Sequence, residues 1–244
     1  MIRLWPRPNF FRAATNNDVE NGYGNRYGKW MLASLYSSIE FKKVEKEETV
    51  CKVYYEYALP DLGDEKVKVK YTITGDGTIE VDMDYCPSPK YIEMPAFGMI
   101  FKFYPEYNKV DYFGLGPEEN HIDRNKGALL GAYSYNVKEN VTPYLYPQEC
   151  GNRTGVQHIC ISSKEHKIVF DAKNIEFSAL PFTPYELENA RHMDELPEIY
   201  QTVVCLYSQQ MGVGGDDTWG ARTLDEFLLS NKNSHHLHFK MKGE

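Results

Sequence analysis

Between Val53 and Met83 apolar residues fall on alternate positions, and this period of two recurs along most of the chain. Val67, Val69, Tyr71 and Ile73 alternate with polar neighbours, Val53, Tyr55 and Tyr57 precede them with the same period, and Gly75-Asp76-Gly77 then supplies a turn before Ile79, Val81 and Met83 resume the pattern. Successive strand side chains point to opposite faces, so this alternation predicts half-buried strands, with a hairpin across Gly75-Asp76-Gly77. Residues 97–103, 156–162, 167–170, 199–207, 227–229 and 237–241 read as further strands. Helical spacing is scarce. The best short helix is 184–191, with Thr183 as N-cap and Pro184 in the first turn. Many short strands without strand–helix alternation predict an all-β protein of two large antiparallel sheets packed face to face. No internal repeat or linker divides the 244 residues, so one domain over 1–244 is expected, with 1–8 as a partial lead-in.

Composition narrows the partners. A formal charge of -8 excludes a surface for nucleic acid or anionic membrane, which needs clustered Lys and Arg. The dense charge run Lys42-Lys43-Val44-Glu45-Lys46-Glu47-Glu48 mixes signs and reads as a solvated strand edge or loop. No apolar run approaches the roughly 18 residues a membrane span takes. Met1-Ile2-Arg3-Leu4-Trp5-Pro6 has no signal core, and the cysteines Cys51, Cys86, Cys150, Cys160 and Cys205 are odd in number; together these point to reduced thiols and the cytoplasm. Cys160 and Cys205 lie in apolar runs. Cys150 has polar company, yet no His follows in a matching motif to make it a nucleophile.

The chemistry concentrates in Met211-Gly212-Val213-Gly214-Gly215-Asp216-Asp217-Thr218-Trp219-Gly220. Glycines permit a close backbone approach, carboxylates accept from hydroxyls, and an indole face suits the C–H face of a sugar ring. The same Gly-Gly-Asp-Asp is also good turn chemistry between strands. Tyrosine is frequent, at 19 residues, and suits both strand edges and carbohydrate clefts. Of His235-His236-Leu237-His238, a strand puts His236 and His238 on one face and turns His235 away; two ligands are too few for a metal site, so no metal or cofactor is expected.

Four ordered segments carry a resemblance. Residues 211–220 resemble the GVGGDDSW signature of glycoside hydrolase family 2 beta-galactosidases. Asn9-Phe10-Phe11-Arg12-Ala13-Ala14-Thr15-Asn16-Asn17-Asp18 is similar to that family's N-F-W-R-A-P-T-D-N-D, with Ala14 and Asn16 departing from Pro and Asp. Gly114-Leu115-Gly116-Pro117-Glu118-Glu119-Asn120 with Asp123-Arg124 resembles G-L-G-P-x-E-N-Y-x-D-R. Thr142 to Arg153 resembles Y-V-x-P-Q-E-N-G-N-R, with Cys150 in place of Asn.

The resemblance implies a C-terminal domain with the galactose-mutarotase-like supersandwich fold, belonging to an enzyme whose two catalytic glutamates reside in a separate (β/α)8 barrel. Strands that members place ahead of the first motif are absent from this chain, so it is expected to be part of a longer polypeptide. Its partners would be the barrel of the same chain or a large subunit, a galactoside such as lactose, and further copies in a homo-oligomer. Trp219 matches the Trp that stacks on substrate at the barrel's mouth, and Asp217 is grouped with it as a substrate contact. Asp216 and Asp217 are expected to orient the Trp loop by accepting backbone N–H bonds, two adjacent carboxylates being too few oxygens for a hard cation. Glu149, Asn152 and Arg153 are expected either to line a sugar groove or to form a buried salt bridge that pins a loop. Arg12, Asn17 and Asp18 are expected to fix a loop at the junction with the barrel. A free carbohydrate-binding module is an alternative. So is an aldose mutarotase using Glu149 with His158 or His192, by analogy of fold alone.

Overall fold

The computed structural model describes residues 2–217 and 219–244; Met1, and Thr218 of the 211–220 motif, lie outside the described residues. In chain order the elements are β1 (Ile2–Asn9), α1 (Asn16–Glu20), α2 (Tyr23–Tyr36), β2 (Ser38–Lys46), β3 (Val50–Ala58), β4 (Lys66–Thr74), β5 (Ile79–Tyr85), β6 (Ala96–Phe103), β7 (Lys109–Gly116), β8 (Leu129–Asn136), β9 (Arg153–Ser162), β10 (Lys167–Leu180), α3 (Pro184–Asn189), β11 (Thr202–Gln210) and β12 (His235–Gly243). Every pairing between them is antiparallel. The all-β antiparallel expectation holds.

The strands do not form two separate sheets. Hydrogen bonds link them into one twelve-stranded sheet in the order β1-β6-β11-β10-β12-β5-β4-β3-β2, from which β9, β7 and β8 branch at β10. The branching follows from the length of β10. Its Ile168–Ala172 half pairs with β12, its Glu176–Leu180 half pairs with β11, and β9 runs along its other edge. Asn174, at the changeover, adopts φ 60°, a left-handed conformation that Asn tolerates and most residues avoid. The sheet thereby curls into a half-barrel, and one sequence of alternating residues covers a common core. Phe101 of β6 packs on Phe170 of β10 at 5.2 Å and on Phe239 of β12 at 5.9 Å, both edge to face, the arrangement aromatic quadrupoles favour.

The 67–83 hairpin is β4 and β5, paired from Lys68↔Asp84 to Ile73↔Ile79. The charge run is the edge strand β2, exposed along nearly its whole length, where Lys43 meets Glu45 at 2.6 Å; charged edges discourage pairing with another chain. Thr183 caps α3 reciprocally with Glu186, as the sequence predicts. Two expectations are corrected. Residues 227–229 form no strand: Asp225–Phe227 is a 3-10 turn and Leu229 makes a single bridge to Met94. The fourteen-residue α2 is absent from the sequence reading, yet its Tyr23, Tyr27, Trp30 and Ser34 are buried at helical spacing. Gly24 and Gly28 lower its helix propensity, and burial of those aromatics against the sheet overrides that. No described helix is long and apolar enough to cross a membrane. The five cysteines are unpaired, and burial pushes the thiols of Cys150 and Cys205 up to about 12, so both are inert.

Candidate functional site

The four motifs, up to 200 residues apart in sequence, close on one another in a single polar network. Arg12 is fully buried directly after β1; its Nη1 donates to Asp18 Oδ2 at 2.7 Å and to Ala13 O, and its Nη2 donates to Gly212 O at 3.1 Å. Burial works against this charge, but the Asp18 carboxylate and neighbouring groups more than offset it, leaving the guanidinium pKa above its ordinary value. Asp18 also accepts from Thr15 N and Oγ1, closing the cap of α1, so one carboxylate both starts the helix and neutralises the arginine.

The root of the 211–220 loop is held from three sides. Arg12 takes the Gly212 carbonyl, Thr223 Oγ1 donates to the same carbonyl at 2.9 Å, and Asp123 Oδ2 accepts from Gly214 N at 2.8 Å. A Cβ on Gly212 would stand 2.5 Å from Asp123 Oδ2 and would displace the carboxylate that holds Gly214 N. Further out, with its amide oriented to satisfy both contacts, Asn17 donates to Asp217 O at 2.9 Å and accepts from Gly215 N at 3.1 Å. Asp217 Oδ1 accepts from Trp219 N at 2.9 Å and Ala221 N at 3.1 Å. Of the two adjacent carboxylates, Asp217 makes the backbone N–H bonds; Asp216 is exposed and makes no such bond among the described residues. On this support Trp219 projects into solvent, 89% exposed.

Glu149, Asn152 and Arg153 are buried, with at most 5% of their surface exposed, and do not line an open groove. Arg153 donates through Nε to Tyr112 OH and Pro117 O, through Nη1 to Asn152 O and through Nη2 to Asn140 Oδ1. Its donors are spent on neutral oxygens, so the pin is a hydrogen-bonded one and not the salt bridge that was the alternative. Asn152 exchanges hydrogen bonds with the backbone of Asn120 and donates to Glu176 Oε2 at 2.9 Å. Glu119 accepts from Gly151 N at 2.7 Å, from Thr142 and from Tyr144, and so clamps the 142–153 segment onto the 114–124 segment. Glu149 accepts from Gln210 Nε2 at 3.0 Å, at the end of β11.

Two carboxyls of this interior are shifted far from their usual range. Burial pushes Glu149 up to about 7 and Glu176 up to about 8, while His121 is held down to about 4 by burial and by the Arg12 charge. Sequence reasoning missed Glu176, Gln210 and His121. Glu176 had no legible signal, since between Ile175 and Phe177 it falls on the polar phase of a period-two strand, which predicts exposure. Glu149 is not paired with a histidine: His158 is exposed on β9 against Asp171 at 2.7 Å, and His192 lies exposed near the Tyr146 ring.

Beside this network runs an open groove of about 750 Å³ lined by residues that include Ala14, Asn16, Val19, Glu20, Tyr146 and His192. Gly220 packs against Glu20, a Cβ at that position standing 3.0 Å from Glu20 O, so the Trp219 loop abuts the turn of α1 that lines the groove.

The chain belongs to the beta galactosidase small chain family, whose model matches residues 1–241. It is 39% identical over 244 residues to a beta-galactosidase of Streptococcus thermophilus, covering 99% of this chain and 24% of that protein. It is 36% identical over 238 residues to a beta-galactosidase of Priestia megaterium, covering 97% of this chain and 23% of that one. A beta-galactosidase small subunit of Latilactobacillus sakei is 29% identical over 97% of this chain and 84% of its own length. The chain thus spans about a quarter of the first two relatives and most of the third. Among solved structures, galactose 1-epimerase from Lactobacillus acidophilus NCFM superposes at a TM-score of 0.47, with 9% identity over 85% of this chain and 66% of that one.

Proposed function

We propose that this chain is the non-catalytic C-terminal portion of a family 2 beta-galactosidase, and that it completes the substrate site of a separate (β/α)8 catalytic domain by presenting Trp219. The observation that carries this reading is Trp219 itself. An indole is among the costliest side chains to leave in water, and here it stands 89% exposed on a loop held by Arg12, Asn17, Asp123, Asp217 and Thr223. Because the backbone beneath it is already held by Asp217, the ordering cost left on binding falls mainly on the indole's own rotamers, which suits stacking on a galactoside or its leaving group. The placement of the two most shifted carboxyls supports this reading. Retaining glycosidases need two carboxyls about 5–5.5 Å apart facing a sugar, whereas Glu149 and Glu176 are buried and engaged by Gln210 and Asn152.

The chain alone is therefore expected to show no turnover of lactose or nitrophenyl galactoside, and the complete galactosidase that contains it is expected to hydrolyse both. Turnover by the isolated chain above the buffer rate would overturn the proposal. Saturable sugar binding by the isolated chain, seen by calorimetry, would favour a free carbohydrate-binding module instead.

A further inference from the structure

A second cluster lies on the outer face of the sheet, far along the chain from the motif network. β12 pairs with β5 so that His236 stands opposite Asp84, His238 opposite Asp82 and Lys240 opposite Glu80. Side chains two apart on a strand share a face, so the sequence puts His236 and His238 together; the missing third ligand comes from the neighbouring strand, which the sequence alone does not align. One ligand atom from each of Asp82, His236 and His238 lies within 4.8 Å of the others. The imidazoles are nearly parallel, 6.3 Å apart at an interplanar angle of 11°. Asp82 Oδ1 sits between them, 2.9 Å from His238 Nδ1 and 3.9 Å from His236 Nε2.

We propose that Asp82, His236 and His238 form a surface site for a divalent transition-metal ion of the zinc class, with water as a fourth ligand. Two imidazoles and one carboxylate are a ligand set that zinc uses when a position is left open. Bonds of about 2.0–2.1 Å in tetrahedral geometry put ligand atoms roughly 3.3 Å apart, so small side-chain rotations close the observed spacings. The nitrogens turned away from Asp82 are also engaged: His236 Nδ1 lies 2.7 Å from Asp84 Oδ1, and His238 Nε2 lies 3.3 Å from Glu80 Oε1. A carboxylate behind each imidazole is the outer shell that orients metal-bound histidines and raises their basicity. Lys70 Nζ holds Asp82 through the other oxygen, Oδ2, at 2.8 Å, which leaves Oδ1 for the ion but places a repelling charge nearby. The histidine side chains are 53% and 38% exposed, so an ion reaches them from solvent, and binding would tie the C-terminal strand to β5.

A plain electrostatic ladder of His–Asp pairs is the competing account, and substitutions separate the two. With tag-free protein, zinc titration by calorimetry is expected to give one saturable site, and Co2+ is expected to give the intense visible absorption of a four-coordinate ion. Asp84→Asn, a positioning change, should weaken zinc by about 10- to 100-fold, and His236→Ala, His238→Ala and Asp82→Asn should each weaken it further. Lys70→Met should tighten it, whereas His158→Ala, which alters the exposed His158–Asp171 pair elsewhere, should leave it unchanged. All these side chains are at least partly exposed, and circular dichroism checks folding of each variant. Absence of saturable zinc binding, or wild-type affinity retained in His236→Ala and His238→Ala, would overturn the site.

Discussion

Replacing Asp18 with alanine is expected to lower the thermal midpoint of this chain by roughly 10 °C or more. The substitution strands the Arg12 guanidinium, fully buried, without its counter-ion, and removes the acceptor for Thr15 N and Oγ1 at the start of α1. Leaving one member of a buried ion pair uncompensated costs about 3–5 kcal/mol, and for a chain of this length each kcal/mol moves the midpoint by about 2–4 °C. Replacing both members together, Arg12→Met with Asp18→Leu, should cost less than the single change, because no unpaired charge remains. That ordering, measured by calorimetry or thermal circular dichroism, separates a buried-charge penalty from loss of packing. A single variant that melts with the wild type would show that Arg12 finds other anions or water.

The second large effect is on pH dependence. Glu176 ordinarily would titrate near 4.5, and burial pushes it up to about 8. In the folded chain it keeps its proton over a range where the unfolded chain has released its own, so the stability carried by the neutral form is complete below about 4.5, declines as pH rises, and is gone above about 8. Glu176→Gln holds a neutral isostere that still accepts from Asn152, and it removes this decline. The variant is therefore expected to match the wild type near pH 5 and to exceed it at pH 9 by on the order of a few kcal/mol. Glu149, pushed up to about 7, adds a decline of the same sign. His121 acts oppositely: held down to about 4, it costs stability as pH falls from about 6.5 toward 4. Denaturant midpoints of wild type and Glu176→Gln between pH 5 and pH 9 check this; parallel curves would mean that Glu176 is not buried as a neutral acid.

Much of the fold was legible because it rests on local signals. The Val67–Met83 hairpin follows from period-two alternation around a Gly-Asp-Gly turn, and α3 from Thr183, Pro184 and Glu186, each of which acts within a few residues. What escaped depends on long-range choices. The switch of β10 from β12 to β11 at Asn174 joins the expected two sheets into one, and pairing of that kind leaves no periodicity in sequence. α2 was masked by Gly24 and Gly28 although Tyr23, Tyr27 and Trp30 mark its buried face.

The site divides in the same way. The resemblance brought out Arg12, Asn17, Asp18, Asp217 and Trp219, and the structure joins the first four into the support of the fifth. It could not tell whether Glu149, Asn152 and Arg153 face a sugar or the interior, since Glu, Asn and Arg serve either, and only burial decides. Likewise His236 and His238 looked insufficient for a metal until strand register supplied Asp82.

The most direct test of the central claim is steady-state hydrolysis of lactose by the galactosidase proposed to contain this chain, with Trp219 intact and with Trp219→Ala. Stacking of an aromatic ring contributes on the order of 1 kcal/mol beyond area burial, so KM is expected to rise about fivefold to tenfold, with kcat little changed if ground and transition states share the contact. The midpoint should stay within about 2 °C of wild type, because an indole 89% exposed contributes little to folding. An unchanged KM, or a raised KM accompanied by a large fall in midpoint, would contradict the account and return Trp219 to the role of a structural loop residue.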